Sequence, residues 1–541
     1  MAAPAPAPAP IPMRTTSTGA QESVSTRSGG GGDDNNTPHP APAPAPSVNF
    51  NFAESYSRTK HKPLRVNSAT VHGNERTSSK VVERELRGLA DINNLHDLAT
   101  CLLDATNRLQ ALDVFHSVDI LVDAGPPNRP NTCDVHVNLR ERDMLAFNAG
   151  TYVQGNEVSA EGTVSLVNPL GQAEQVQLEA SAGSQRSGTF SLAYQLPRFA
   201  GTDNSALELR AFQSLQSHQR HASFSEMQRG VSAAVHTPAA GTSVGYELSW
   251  REVSGATGKD HACSNAVREQ LGNRLKSAVF ASAATPDRRA FDSMGVRPVS
   301  GTAARVTAEL SGVGFWGSAG ALVRHARTEA EAALSVPLPV IGPDVALTLG
   351  ARTGVLLPLG GPGETTYIVD RFYLGGAGGP VRGFINKGCG PSDARRARVD
   401  ASSEGGADGT PVSVPTGGAG AGRDSLGGDV MAMASASVAF PLPNKVLHEA
   451  GVYGHVFADV GATVPLDTSA GMPSSTGEFT RALAGAGRSL ASQPRVCVGA
   501  GIAWGMRLGR IELNYVHVPA SQPFDGVKNG VQVGFSASSI F

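Results

Sequence analysis

The chain has 541 residues, a formal net charge of −2 and only 17% charged residues, so it carries no strongly basic field that would attract nucleic acid. Aromatic residues make up 6% and glycine occurs 63 times, which suits tightly packed strands and many turns better than helical bundles. No run approaches the roughly 18 apolar residues that a membrane helix needs. A membrane location would therefore require a closed β-barrel.

The cysteines are odd in number and widely spaced, with no C-x-x-C motif and no histidine at zinc spacing. They are Cys101, Cys133, Cys263, Cys389 and Cys497. We therefore expect no disulfide framework, no metal site and no cofactor. The N-terminus lacks the charged segment and apolar core of a secretory signal, and it is too rich in proline and too poor in arginine for a typical transit peptide. These features favour synthesis in a cytosol and import into an organelle surface.

Residues 1–60 are rich in proline, alanine, serine and glycine, and they cannot bury enough apolar surface to order themselves. We predict a disordered extension there, followed by a small α+β module at 61–141. Its helical segments repeat apolar residues at close to 3.6 positions, and its strands alternate. The predicted elements are a strand at 64–73, a helix capped within Thr77-Ser78-Ser79, a helix at 95–112, and strands at 115–122 and 133–139.

From 142 to 541 the dominant pattern has a period of two residues, with apolar side chains on one face and small or polar ones on the other. A strand at lipid depth has this pattern over about ten residues. In residues 452–461 the apolar set begins at Val452, and this register directs Tyr453, His455, Phe457 and Asp459 towards the interior. Many such strands predict an all-β transmembrane barrel.

Two stretches interrupt the strands. Residues 387–428 form a low-complexity insertion of glycine, serine and aspartate, which we interpret as a flexible surface loop. Residues 468–494 are rich in glycine, alanine and serine and are interpreted as another connection.

A single arginine is the strongest candidate for a special role inside this barrel. Val381-Arg382-Gly383-Phe384 follows a glycine cluster, which suggests a loop that enters the lumen. A guanidinium group is always charged and has five donors, so inside a barrel it needs an acceptor. The register of 452–461 offers Asp459.

The chain resembles the outer-membrane β-barrel assembly family, the superfamily of bacterial surface antigens in which POTRA modules precede a barrel. The resemblance covers about 64–541 apart from the insertion. It is carried by four segments: Arg371-Phe-Tyr-Leu-Gly-Gly376, Val381-Arg-Gly-Phe384, Val456-Phe-Ala-Asp-Val-Gly461 and the final strand. The module at 61–141 looks like a single POTRA domain. Bacterial and chloroplast relatives carry several, so the chain is most similar to the mitochondrial sorting and assembly machinery core subunit.

The resemblance implies sixteen antiparallel strands and a core insertase of the mitochondrial outer membrane, with its POTRA-like domain in the intermembrane space. Arg382 would be a lumenal latch that contacts Phe457 and Asp459. Precursor strands would add at a lateral seam between the first and last barrel strands. The seam candidates are Ala149, Gly150, Gln532, Gly534 and Phe541. The implied partners are unfolded β-barrel precursors, peripheral subunits of the complex and outer-membrane lipid, without nucleic acid.

Two other functions are open at this point. A passive pore or a protein-import channel would use the same strands with an open lumen. A hydrolase is suggested by Gly241-Thr-Ser-Val-Gly245, but that motif needs a strand-to-helix turn and here it opens a strand. We therefore expect no catalytic residue.

Overall fold

The structure is a computed structural model of the chain. It describes residues 13–16, 57, 59–154, 157–184, 186–255, 261–286, 288–292, 297–314, 322–342, 344–360, 365–377, 381–397, 422–466, 476–506 and 509–536. These residues divide into two compact units, one within 1–146 and 165–176 and the other within 147–164 and 177–541. No helix in the described ranges is both long and apolar enough to cross a membrane.

The first unit contains a four-stranded sheet in the order β1-β2-β4-β3 and two α-helices. Its elements are β1 at Met13–Thr16, β2 at Arg65–His72, α1 at Ser79–Leu86, a 3₁₀ turn at Arg87–Asp91, α2 at Leu95–Gln110, β3 at Phe115–Ala124 and β4 at Thr132–Glu141. The apolar faces of both helices share one core with the sheet, in which Val82, Leu86, Leu109 and Val135 are fully buried. The predicted order β-α-α-β-β is the observed one from β2 onwards.

One strand of this sheet lies in the extension that the sequence predicts to be disordered. Met13–Thr16 pairs in parallel with β2, with Met13 opposite Ala69. The edge of β2 presents unpaired backbone donors and acceptors, and a short extended segment can satisfy them without burying much apolar surface. The prediction for 1–60 is therefore wrong for these four residues. Most of the remainder lies outside the described residues.

The start of α1 also differs from the prediction of a hydroxyl cap. Ser78 is the N-cap residue but its side chain makes no capping bond. The Thr77 hydroxyl instead donates to Glu141 Oε1 at 2.6 Å, and Asn168 Nδ2 donates to the same hydroxyl at 2.8 Å. A capping hydroxyl must accept from a helix N–H, and here the Thr77 oxygen accepts from Asn168 instead. The backbone N–H of Ser78 donates to Gly171 O at 2.8 Å.

The second unit is a large antiparallel sheet that forms a barrel. Seventeen described strands belong to it, and one of them, Ala290–Phe291, has only two residues, which leaves sixteen long strands. They are β5 Leu145–Gln154, β6 Glu157–Val167, β7 Gln175–Gly183, β8 Gly188–Pro197, β9 Ala206–Ser217, β10 Phe224–Thr237, β11 Thr242–Gly255, β12 Gly272–Ala284, β13 Pro298–Ser311, β14 His325–Pro337, β15 Ala346–Pro358, β16 Val430–Pro441, β17 Val452–Val464, β18 Arg495–Met506, β19 Gly509–Ala520 and β20 Gly530–Ser536. Strand order follows the chain, and β20 stands beside β5.

Shorter elements connect these strands. The helical ones are Phe199–Gly201, Pro238–Ala240, Asn265–Arg268, Ile368–Asp370, Lys445–Glu449 and the long helix α3 at Thr476–Ser492. The extended ones are His261–Ala262, Ser392–Ala394, Arg396–Ala397 and Arg423–Ser425.

Burial alternates along the strands with the register that the sequence predicts. In β17, Tyr453, His455, Phe457 and Asp459 are buried, whereas Val456 is 45% exposed. Valine and leucine side chains exposed in this way recur on many strands, for example on β10, β14 and β19. An outward apolar band with a polar interior is the arrangement that lipid requires of a barrel. The predicted transmembrane barrel is confirmed.

Two connections are more ordered than their composition indicates. Within the stretch taken as a flexible insertion, the flank at 422–428 is built into the barrel: Asp424 is fully buried and accepts hydrogen bonds from Ser223 and from the backbone N–H of Ser264. The residues between 397 and 422 lie outside the described part. The second connection, 468–494, contains α3, whose Ala486 joins the apolar cluster formed by Val430 and Val464.

Candidate functional site

The candidate site is the segment 381–384, which lies against the inner face of β17, β18 and β19. Arg382 is 9% exposed, and Val381 and Phe384 are each 1% exposed. Val381 and Gly383 have positive φ angles of 62° and 90°. A Cβ atom on Gly383 would lie 2.7 Å from Val518 Cγ2, so glycine satisfies both the backbone conformation and the close approach.

Arg382 is bound to Asp459 through three hydrogen bonds. Its Nε donates to Oδ2 at 2.9 Å, its Nη2 donates to Oδ1 at 3.0 Å, and its backbone N–H donates to Oδ2 at 3.1 Å. Asp459 is 2% exposed. The parallel fork of a guanidinium on a carboxylate fixes orientation as well as charge.

An aromatic ring and a second carboxylate complete the surroundings of the guanidinium. Its Cζ lies 3.5 Å from the centroid of the Phe457 ring, a cation–π contact in a site shielded from water. Its Nη1 donates to Glu512 Oε2 at 3.2 Å, and Glu512 is also paired with Arg510 at 2.6 Å. Asn514 donates to Glu512 and is itself bound to His455. Two arginines therefore face two carboxylates, so the cluster is neutral overall.

The backbone of the same segment is tied to the end of the chain. The backbone N–H of Lys528 donates to Gly383 O at 2.8 Å, and the N–H of Gly383 donates to Gln532 Oε1 at 3.4 Å. Phe384 forms an isolated antiparallel bridge with Val527. The segment thus contacts both the carboxylates of β17 and β19 and the last described strand.

The structure brings together Arg382, Phe457 and Asp459, the three residues that the sequence predicts to be in contact. The seam candidates are distributed differently. Ala149 and Gly150 are exposed on β5, and no atom lies within 4 Å of a Cβ placed on Gly150. Gln532 and Gly534 are buried on β20, with the Gln532 side chain on the loop at Gly383, whereas Phe541 lies outside the described residues.

Glu512 and Asn514 belong to the site but are absent from the sequence predictions. A signal for them exists: residues 511, 513 and 515 of β19 are apolar or aromatic, and the charged and amide side chains at 512 and 514 alternate with them. Period two would have placed both inside.

One group of side chains in the described residues could hold a metal ion by geometry, namely Glu309, His325 and Asp370. Two cations already occupy its carboxylates. Lys276 Nζ lies 2.7 Å from Glu309 Oε1, and Arg251 Nη1 lies 2.7 Å from Asp370 Oδ1. A divalent ion would be repelled by both, so we assign no metal to this group.

Comparison with known proteins gives the family. The profile described as "Omp85 superfamily domain" matches residues 168–539, more than half of the chain. The chain belongs to the Omp85 superfamily. The resemblance drawn from the Val-Arg-Gly-Phe segment and the strand at Asp459 is therefore confirmed.

The similar curated proteins within the Omp85 superfamily are sorting and assembly machinery components. The chain is 28% identical over 488 residues to "Sorting and assembly machinery component 50 homolog" of Bos taurus, covering 88% of this chain and 90% of that protein. It is 27% identical to the Homo sapiens protein of the same description, again covering 88% and 90%. A SAM50-like protein of Schizosaccharomyces pombe is 26% identical over 493 residues, covering 87% and 90%.

A solved member shares the fold. The crystal structure of BamA from Haemophilus ducreyi lacking POTRA domains 1–3 superposes with a TM-score of 0.66 at 15% sequence identity, covering 87% of this chain and 84% of that one. At this identity the likeness concerns the fold alone, a barrel of the Omp85 type.

Proposed function

We propose that this chain is the core insertase that folds β-barrel precursors into the mitochondrial outer membrane. The observation that carries the proposal is the Arg382 cluster, in which a loop is fixed to the inner wall of an Omp85 barrel by buried charge. The descriptions of its relatives as sorting and assembly machinery components support the same function. The task needs no covalent chemistry and no cofactor.

The mechanism we propose is strand addition at a lateral seam between β5 and β20. An exposed strand edge offers unpaired backbone groups, and an incoming precursor strand can satisfy them. Ala149 and Gly150 of β5 have little or no side chain to pack across the seam, and glycine weakens a strand interior. On the other side, Val531 and Val533 are 64% and 63% exposed towards lipid, while Gln532 and Gly534 face inward. Phe541, which lies outside the described residues, is proposed as a further residue of the seam.

Residues 381–384 are proposed as the latch that keeps the seam in register. Phe457 and Asp459 of β17 bind Arg382. Gln532, which belongs to the seam strand β20, accepts a hydrogen bond from the N–H of Gly383. Movement of the latch would therefore break its hydrogen bond to Gln532 and alter the contacts of β20. Partners on this proposal are unfolded β-barrel precursors, peripheral subunits of the sorting and assembly complex and outer-membrane lipid, with the module at 61–141 in the intermembrane space.

The second candidate function is a passive pore or a protein-import channel of an organelle outer membrane. It shares the barrel but has no use for a loop packed into the interior. Leu374, Val381 and Phe384 are each 1% exposed, in an apolar cluster with Met431 and Phe457. Filling the interior in this way favours the insertase over an open pore.

The test is substitution of the latch cation. We expect Arg382→Ala to impair assembly of other outer-membrane β-barrels in mitochondria that depend on this chain, while the variant itself still reaches the membrane. Arg229→Ala is the matched control, because Arg229 is also a barrel arginine, on β10, but it is exposed. Barrel assembly at the normal rate with Arg382→Ala would refute the latch and with it the insertase mechanism.

The seam is tested separately by cross-linking. Cysteines introduced as Ala146→Cys in β5 and Ser536→Cys in β20 should both cross-link to an arrested β-barrel precursor. Cross-linking to a cysteine introduced on a strand far from the seam, Thr353→Cys of β15, should be absent. Equal yields at all three positions would contradict strand addition between β5 and β20.

A further inference from the structure

A cavity of about 230 Å³ inside the barrel has a lining that no proposed role of the latch explains. Four of its lining side chains are basic, namely those of Arg327, Arg352, Arg371 and Lys387. Among the described residues of the lining, Glu226 carries the one carboxylate. Charges of one sign collected in a partly open cavity attract a counter-ion.

Two of these cations are already satisfied by the protein. Arg371 donates to the hydroxyl and the carbonyl of Thr366 and lies 3.8 Å from Asp429. Arg352 is paired with Glu329. Neither arginine needs a further acceptor, so both are treated as parts of the wall.

Three other groups of the lining have donors without an acceptor. Within the described residues no carboxylate lies within ion-pair distance of Lys387, which instead lies 5.2 Å above the ring of Tyr373. Arg327 donates from Nη2 to Glu329 at 3.2 Å, but its buried Nε has no partner. His218 is 7% exposed and its buried Nε2 has none either, since Glu226 is 3.8 Å away.

The pKa shifts of Lys387 and His218 show which surroundings favour the charged form of each group. Burial lowers the pKa of Lys387, and the charge of Glu226 opposes this only in part. Burial also lowers the pKa of His218, against the opposing effect of Glu226, and Lys387 lowers it further. An anion between them would favour the charged form of both groups.

We propose that this cavity is a binding site for a phosphate-type oxyanion, held by Lys387, Arg327 and His218. Guanidinium and ammonium groups are the usual protein donors to such an ion. A liquid-water molecule takes up about 30 Å³, so the cavity has room for a small oxyanion with some of its water and not for a folded peptide segment. The bound ion would connect β14, the turn after β9 and the segment that follows the latch. This inference does not depend on the proposed insertase function.

The direct test is a titration of inorganic phosphate into the purified full-length chain in phosphate-free detergent micelles, at constant ionic strength set by chloride. We expect saturable binding to the unaltered chain. Lys387→Gln should weaken it by at least about tenfold, because a charge-assisted hydrogen bond is lost. Lys80→Gln makes the same change of net charge at an exposed position of α1 and should leave the affinity unchanged.

Two further variants distinguish a lost site from a misfolded barrel. Lys387→Arg retains a cation and should bind phosphate, whereas Arg327→Lys keeps the charge but lacks Nε and should bind more weakly. Heat-dependent gel mobility checks that each barrel is folded. Absence of saturable binding to the unaltered chain, or equal affinities of the unaltered chain and Lys387→Gln, would overturn the proposal.

Two further measurements identify the source of the bound phosphate group and the change in protonation that accompanies binding. Addition of phosphatidic acid to phosphatidylcholine nanodiscs should compete with phosphate only if a lipid headgroup is the natural occupant; lack of competition identifies a free ion. With sulfate, which does not titrate near neutral pH, binding should be accompanied by proton uptake as His218 becomes charged. Sulfate binding without proton uptake would remove His218 from the site.

Discussion

Two loops of this chain are each held against a sheet by a buried carboxylate, and they are held in different ways. In the barrel, Asp459 receives the guanidinium and the backbone N–H of Arg382. In the small module, Glu141 receives the backbone N–H groups of Arg76 and Thr77 at 3.1 and 2.7 Å, together with the Thr77 hydroxyl. The first loop offers a buried charge and the second offers mainly neutral donors.

The difference determines what each loop loses when its acceptor is removed. Arg382 is 9% exposed, so water cannot solvate its charge in place of Asp459 when that carboxylate is removed. The side chain of Arg76 is 32% exposed, and the other groups that donate to Glu141 are the uncharged backbone N–H groups and the Thr77 hydroxyl. The position of the barrel loop therefore depends on its carboxylate partner, because a buried charge would otherwise be left unpaired. In the module loop, the mainly neutral hydrogen bonds to Glu141 add stability, but their loss leaves no buried charge unpaired.

The largest effect is expected from Asp459→Ala. It leaves Arg382 buried with Glu512 alone, and breaking such a pair costs about 3–5 kcal/mol. Urea unfolding of the purified barrel, followed by gel mobility, measures the loss. Phe457→Leu is the comparison: it removes the aromatic ring beneath the guanidinium and leaves the Asp459 fork intact. An equal loss in both variants would contradict the assignment of Asp459 as the principal partner.

A smaller and pH-dependent effect is expected at Glu141. Burial alone would raise the pKa of this carboxyl, but hydrogen bonds from Thr77 and Arg76 outweigh it and hold the pKa below its ordinary value. The charged form is therefore favoured by folding. Its contribution is complete above the ordinary carboxyl pKa of about 4.3 and disappears as the pH falls through the lowered value.

Glu141→Gln removes that dependence and costs about 1.5–3 kcal/mol at neutral pH, the usual size for hydrogen bonds to a charged group. Amide exchange of the intact chain within α2, corrected for intrinsic rates, reports the stability of the module. Asp123→Asn is the control, since the Asp123 side chain is 73% exposed. A slope below pH 4 that survives in Glu141→Gln would assign the acid sensitivity to another group.

The comparison also shows which features the sequence reveals. Arg382 and Asp459 stand out because a charge in an alternating apolar strand or on a glycine loop is conspicuous, and period two then sets the direction of the side chain. The role of Glu141 is not visible in this way, because its partners Arg76 and Thr77 lie 65 and 64 residues away and are ordinary loop residues. Pairing of that range depends on the tertiary fold.

Composition misled in two places for the same physical reason. The range 468–494 is rich in glycine, alanine and serine, yet it contains α3, because Ala482, Ala486 and Leu490 recur at intervals of four and meet the ends of β16 and β17. The flank at Asp424 is ordered by Ser223, which lies 201 residues earlier. Small and polar residues predict flexibility only when no distant partner is available to them.

The smallest effect is expected at the helix caps of the module, where the Asn94 side chain caps α2 and the Ser78 side chain does not cap α1. Asn94 accepts from the N–H of Asp97 at 2.8 Å, so Asn94→Ala should lower the stability of α2 by about 1 kcal/mol. Ser78 makes no such bond to α1, and its backbone N–H already donates to Gly171, so Ser78→Ala should change little. Amide exchange in the two helices compares them directly within each variant. If Ser78→Ala cost as much as Asn94→Ala, α1 would be capped by the Ser78 hydroxyl after all.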